Sequence, residues 1–333
     1  MIKLIQTILI FIILLSFYID IANAQIVVKD FRGKIIHLDK PVERVVCLIE
    51  SALTGIYMLK QGHKVVGIPT NVYTEGFYYS DTFKYYALLD ERIREKKIPA
   101  VGNWEFVNVE KVLSLKPDLI IIWANQRDTI EILERLGIPV YGVFITKIDD
   151  ILKEIRDFGI LFNAKKRAEE LIRYIKEEIR KIEEIAKKIK SKKRIYFSWA
   201  QHSFLQTSCG GSIVDEIINT IGAINVCGNI KAESQNLTME KLILLNPDII
   251  IMWYSKTLKL ENIKKNKQYK IINAIKNEAV YQFDDTFFFD LWTLKFLYSM
   301  KFIAKVSYPE YYKFELAKEK QRIMRLLYDK DLI

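Results

Sequence analysis

At 333 residues, half of them hydrophobic, the chain can bury two cores of ordinary domain size. Its three cysteines, Cys47, Cys209 and Cys227, suit neither a disulfide-dense scaffold nor a zinc module, because no two stand in a CxxC pair. The formal charge of +10 comes mainly from lysines spread along the chain, densest between Lys165 and Lys193, where glutamates interleave. A solvated helix face accounts for that pattern, and nucleic acid is excluded as a partner.

The first 24 residues have the form of a secretory signal. Lys3 precedes an apolar run from Ile8 to Tyr18, and Ala22-Asn23-Ala24 places small residues at both cleavage-determining positions. A transmembrane anchor needs about 20 apolar residues, and Asp20 closes this run early. No Cys follows the cleavage position, so the mature chain is expected to start at Gln25 as a free periplasmic protein rather than a lipid-anchored one.

An alternating segment around Arg32-Gly33 predicts a hairpin over 26–42. A strand at 44–50, a helix ending at Gly62 and a second strand, KVVGIP, follow. The strand–helix alternation argues for a parallel sheet. The segment 70–97 is rich in aromatics, with Tyr73, Phe77, Tyr78, Tyr79, Phe83, Tyr85 and Tyr86. A helix near 126–136, the strand GIPVYGV and a helix from Ile148 to Phe162 complete a first lobe, 25–162. Residues 163–192 carry no Gly or Pro and repeat apolar residues at three- and four-residue steps, which predicts one long, stiff amphipathic helix. A second lobe, 193–333, restarts with RIYFSW.

One segment occurs twice: VNVEKVLSLKPDLIIIW (107–123) and LTMEKLILLNPDIIIMW (237–253). In each copy Asn108 or Thr238 can cap a short helix, Pro117 or Pro247 stops it, and an apolar run forms a strand buried on both faces. The fold class is therefore α/β, with two Rossmann-like lobes of mainly parallel sheet, one long rigid helix joining them and a ligand cleft between them.

Ligands of open parallel sheets bind beyond the carboxyl ends of the strands. The residues there make Glu50, Ser51, Asn71, Tyr73, Trp104, Trp123, Trp199, His202, Gly210, Gly211, Tyr254 and Phe287 the candidate ligand contacts. Four tryptophans at such positions suggest a stacking surface for a large, partly apolar ligand. His202 is the one histidine so placed, and it is the candidate axial ligand to an already chelated metal; the three scattered histidines make no bare metal site. Nucleotide, metalloprotease and hydrolase motifs are absent, although Cys209-Gly210-Gly211 with His202 keeps a secreted α/β enzyme open as an alternative. Glu110 and Glu240 hold equivalent places in the first turn of each repeat helix, a pair suited to docking on a symmetric basic partner.

The signal peptide, two lobes, long connecting helix and the LKPDLIII segment with its upstream Glu resemble the periplasmic binding proteins of iron-siderophore and vitamin B12 ABC importers. The resemblance covers the chain from about Arg44 onward. It implies a monomeric, non-enzymatic receptor without an intrinsic cofactor. Such a receptor captures a metal chelate (a ferric siderophore, haem or cobalamin type) and delivers it to an ABC permease dimer in the inner membrane. A molybdate, tungstate or nickel-complex receptor of the same fold is the alternative. The resemblance also implies that Glu110 and Glu240 engage arginines of the two permease subunits, that Trp104 and Trp123 contact ligand, and that the stiff connector permits little hinge motion.

Overall fold

The computed structural model describes residues 25–74, 81–201 and 203–332. The expected signal peptide, the aromatic residues Phe77, Tyr78 and Tyr79, and His202 lie outside the described residues.

Strands β1 (Ile26–Lys29) and β2 (Ile35–Leu38) form the expected antiparallel hairpin. Strands β3 (Val45–Cys47), β4 (Val65–Pro69), β5 (Ala100–Gly102), β6 (Leu119–Trp123) and β7 (Val140–Val143) then build a parallel sheet in the order β5-β4-β3-β6-β7. The second sheet uses β8 (Arg194–Ser198), β9 (Gln206–Thr207), β10 (Ile224–Asn225), β11 (Gln235–Asn236), β12 (Ile249–Met252) and β13 (Val280–Gln282). Its order is β11-β9-β8-β12-β13, with β10 also paired to β8; β9 is antiparallel to both its neighbours, β8 and β11, and the other pairings are parallel.

The duplicated segment sets both sheets by the same contacts. Asn108 Oδ1 accepts a hydrogen bond from the Lys111 amide at 2.9 Å, and Thr238 Oγ1 accepts one from the Lys241 amide at 3.2 Å. These bonds cap the helices Val109–Ser114 and Met239–Leu245. Each helix is followed by a residue in left-handed backbone, Lys116 (φ +46°) or Asn246 (φ +39°), and then by the Pro-Asp step into β6 or β12. The aspartates also fix the strand next door: Asp118 Oδ2 accepts from the Arg44 amide and Asp248 Oδ2 from the Arg194 amide, each at 2.9 Å. Both arginines return a guanidinium bond to the end of their helix, to Leu115 O and Leu245 O. The duplication is therefore a helix, a strand and the clasp holding the neighbouring strand.

The connecting helix spans Lys165–Ala186, about 33 Å at 1.5 Å per residue, somewhat shorter than the sequence pattern predicts. Leu171, Ile175 and Ile182 are buried along one side. The core differs from the expected two separate ones. One apolar cluster runs through both halves, from Val28 to Leu332, and two smaller clusters cover the other face of each sheet. The period-two alternation of strands explains this: Val45 and Cys47 face the shared cluster while Val46 and Leu48 are buried in the smaller cluster on the sheet's other face.

A second link joins the halves. The helix Leu316–Tyr328 packs against Glu50–Met58, Asp329 pairs with Lys60 at 2.8 Å, and Arg167 Nη2 donates to Leu327 O at 3.2 Å. The aromatic segment contributes too. Tyr85 stacks on Phe287 at 4.6 Å and donates its hydroxyl to Asp285 Oδ2 at 3.0 Å.

Cys209 and Cys227 form a disulfide, with Cα atoms 4.9 Å apart, and Cys47 is a buried free thiol. The sequence leaves open whether Cys209 and Cys227 pair, with buried free thiols the favoured reading, since 18 residues of separation carry no distance information. The pair meets because Cys209 follows β9 and Cys227 follows β10, and both strands pair with β8.

Candidate functional site

In both sheets the strand order reverses beside the first strand of the half, between β3 and β6 and between β8 and β12. Such a switch point leaves a crevice at the carboxyl ends of the strands. The two crevices face one cleft of about 390 Å³. Glu50 and Ser51 enter it from the helix after β3, Trp123 from the end of β6, Phe144 and Ile145 from just past β7, and Trp253 from just past β12.

A tight loop presents Trp104. Gly102 has φ +150°, and a Cβ there would sit 2.4 Å from Phe106 O, so only glycine fits where the chain folds back. Asn103 fastens the loop: its Oδ1 accepts from the Glu105 and Phe106 amides, and its Nδ2 donates to Asn71 Oδ1 at 3.1 Å. Trp104 is thereby left 48% exposed at the lip of the cleft. Across from it lies a cluster of three indoles. Trp199 stacks on Trp292 (5.7 Å, 8° between planes), and both meet Trp253 edge-on at 5.5 and 5.8 Å. Trp253 and Trp292 line the cleft while Trp199 backs them, 6% exposed.

Charge at the floor is unusual. Lys295, with its side chain 1% exposed, lies 3.4 Å from Asp290 Oδ2 and 3.9 Å from the centre of the Phe287 ring. Burial lowers its pKa, against the pull of Asp290. Glu50 Oε1 is buried without a hydrogen-bond partner. Burial raises the Glu50 carboxyl to about 7; its own backbone amide and Asn71 oppose the rise, and Asp290 adds to it. Glu154, fully buried on the helix Ile148–Leu161, is also pushed well up by burial and then by Asp290. The cleft floor is a desolvated acidic region with one lysine, paired with Asp290.

A stability prediction follows from Glu50. The unfolded carboxyl titrates near 4.5 and the folded one near 7, so the folded state holds a proton that the unfolded state has released. The Glu50 contribution is therefore fully present below about pH 4.5 and is lost as pH rises through 7, at about 3 kcal/mol in all. Glu50→Gln should abolish that loss, making the variant relatively more stable at pH 8 than at pH 5. Urea unfolding at the two pH values checks this; a wild-type-to-variant difference independent of pH would contradict it.

A model of the family described as "Periplasmic binding protein" matches residues 45–286. The chain belongs to this family. It is 28% identical over 298 residues to the uncharacterized ABC transporter substrate-binding lipoprotein YvrC of Bacillus subtilis, covering 86% of this chain and 87% of that one. The vitamin B12-binding protein of Vibrio parahaemolyticus is 24% identical over 214 residues, 64% of this chain and 71% of that one. Among solved structures, molybdate-bound MolA of Haemophilus influenzae superposes with a TM-score of 0.77 at 17% identity, over 92% of this chain and 98% of that one, which shows the shared fold. As a substrate-binding component of an ABC transporter, a member of this family binds a small ligand and works with a permease. No helix among the described residues is long and apolar enough to cross a membrane.

Of the candidate contacts in this family member, the structure brings Glu50, Ser51, Asn71, Trp104, Trp123 and Phe287 together in the cleft. Others lie elsewhere. Tyr73 donates its hydroxyl to Ile98 O at 2.8 Å, Trp199 forms the second layer, and Tyr254 packs partly buried against the core. Gly210 and Gly211 do not line the cleft: the Gly210 amide donates to Ile230 O at 2.7 Å and the Gly211 amide to Asp215 Oδ2 at 3.3 Å. A Cβ on Gly210 would meet Gly228 O at 2.0 Å, so close packing of two backbones explains that glycine. Sequence reasoning missed Tyr86, Asp290, Trp292 and Lys295. Tyr86 reaches the cleft from the helix Phe83–Leu89 and the other three from an irregular segment, none of them from a strand end, and only the Asp-Leu-Trp run at 290–292 beside an aromatic stretch hinted at the latter.

Proposed function

We propose that this protein captures a metal chelate with an apolar, ring-bearing face, cobalamin being the first candidate, and delivers it to an ABC permease without chemistry of its own. Its signal peptide, 1–24, would direct it to the periplasm. The observation that carries the proposal is the cleft wall of Trp104, Trp123, Trp253 and Trp292, set at the carboxyl ends of both sheets. Indoles supply large rigid surface for stacking, and the similarity to vitamin B12-binding proteins points the same way. The enzyme alternative loses its nucleophile, because Cys209 is bonded to Cys227. An oxyanion receptor loses its backbone donors at Gly210 and Gly211, which are already engaged.

Glu110 and Glu240, both exposed in the first turns of the capped repeat helices and without an ion-pair partner among the described residues, are assigned to permease docking. A thermal-shift panel tests the ligand class. A ligand bound only by the folded state adds about 2.7 kcal/mol at a hundredfold excess over Kd, several degrees in Tm. Cobalamin, haem, ferric siderophores, nickel-histidine and molybdate form the panel. A rise with one or more metal chelates is expected; a rise with molybdate alone would overturn the proposal.

A further inference from the structure

We propose that Glu50 and Asp290 make the cleft select chelates that present N–H donors or positive charge to its floor and reject those presenting carboxylate or other anionic groups there. The proposal rests on the chelate-binding function above. Among the described lining residues are three carboxyls, Glu50, Glu233 and Asp290, against a single base, Lys295, and no arginine. That base is already committed. Its ammonium lies between Asp290 at 3.4 Å and the Phe287 ring at 3.9 Å, with its side chain 1% exposed.

Glu50 is left with open capacity. Its Oε1 is buried without a partner, Asn71 hydrogen-bonds the carboxyl, and the Tyr86 hydroxyl goes to the Glu50 backbone carbonyl at 3.1 Å rather than to the side chain. A buried acceptor with no donor is a standing cost that a ligand N–H removes. A ligand carboxylate instead adds a like charge beside Glu50 and Asp290 in a region screened little by water. Burial is the main cause of the raised Glu50 pKa, and repulsion from Asp290 adds a smaller part in the same direction.

Two matched pairs of probes test this at pH 8, where Glu50 is ionised. One pair is cyanocobalamin and its monocarboxylic acids made by hydrolysing one peripheral amide; the other is ferrioxamine B, with its ammonium tail, and its N-succinyl derivative. Affinities are read by quenching of tryptophan fluorescence for wild type and for Glu50→Gln, which keeps the shape and an acceptor oxygen but removes the charge. In each pair that binds, the amide or ammonium member should bind at least tenfold tighter than the carboxylate, and Glu50→Gln should narrow the gap to threefold or less. Equal or tighter binding of the carboxylate member, or a gap unchanged in Glu50→Gln, overturns the charge selection alone. If none of the four probes binds, this inference falls, and the chelate-binding function falls with it only when the thermal-shift panel also shows no rise with any metal chelate.

Discussion

The Glu110→Ala/Glu240→Ala double variant is expected to lower ligand uptake by the intact transporter at least thirtyfold while leaving ligand affinity unchanged. Both carboxylates sit in the first turn of a repeat helix, on equivalent points of two halves built by the same clasp of Asp118 with Arg44 and Asp248 with Arg194. Helix capping by Asn108 and Thr238 fixes the backbone beneath them, so truncation removes charge without unfolding the turn. Loss of one partner of a hydrogen-bonded charge pair at an interface costs about 2–5 kcal/mol, and 2 kcal/mol is roughly thirtyfold. Neither glutamate lines the cleft, which keeps affinity out of the effect. Transport in reconstituted vesicles and ligand titration of the purified variant separate the two readouts. Full transport by the double variant would remove the docking assignment.

The second large effect concerns the joint between the connecting helix and the C-terminal helices. Glu178, its side chain 4% exposed on the connecting helix, takes salt bridges from Lys301 at 2.5 Å, Arg322 at 2.7 Å and Lys181 at 2.7 Å, and Glu319 shares Lys301 and Arg322. Burial alone would raise the Glu178 carboxyl, but the hydrogen bonds from Lys181, Lys301 and Arg322 outweigh it and hold the pKa at about 2. Glu178→Ala leaves the buried Lys301 ammonium with Glu319 alone, and should destabilise the fold by about 3 kcal/mol. The folded pKa lies below the unfolded one, so the Glu178 contribution is present above about pH 4.5 and disappears as pH falls towards 2. Denaturant unfolding at pH 7 should therefore show the full loss, and the variant should approach wild type in relative stability near pH 3. A loss under about 1 kcal/mol at pH 7 would mean that Glu319 alone satisfies Lys301.

The architecture was largely legible in the sequence because its determinants are local. The repeated Asn/Thr cap, Pro stop and apolar run announce helix then strand, and each copy folds as that pattern implies. The cleft was legible only where it is made by residues at a strand end or in the turn that follows, such as Trp123 and Glu50. Asp290, Trp292 and Lys295 come from an irregular stretch leading into the helix Phe296–Ser307, where neither period two nor period 3.6 marks orientation. The Cys209–Cys227 bond and the return of Leu316–Tyr328 onto Glu50–Met58 depend on contacts distant in sequence, which spacing alone does not encode. Tyr85, in an aromatic segment whose role the sequence leaves open, instead braces the two halves through Phe287 and Asp285.

The central claim is that a metal chelate seats on the indoles between the two halves. Isothermal titration of ligand-free protein with cyanocobalamin, beside Trp104→Ala and Trp123→Ala, tests it most directly. Both side chains reach the cleft from the N-terminal half, the first at an exposed lip and the second at a strand end where it is partly buried against the core, so an unfolding curve of each variant accompanies its titration. One site per chain is predicted, with affinity at least tenfold weaker in each variant, about 1.4 kcal/mol. Saturable binding that neither substitution weakens would contradict the account.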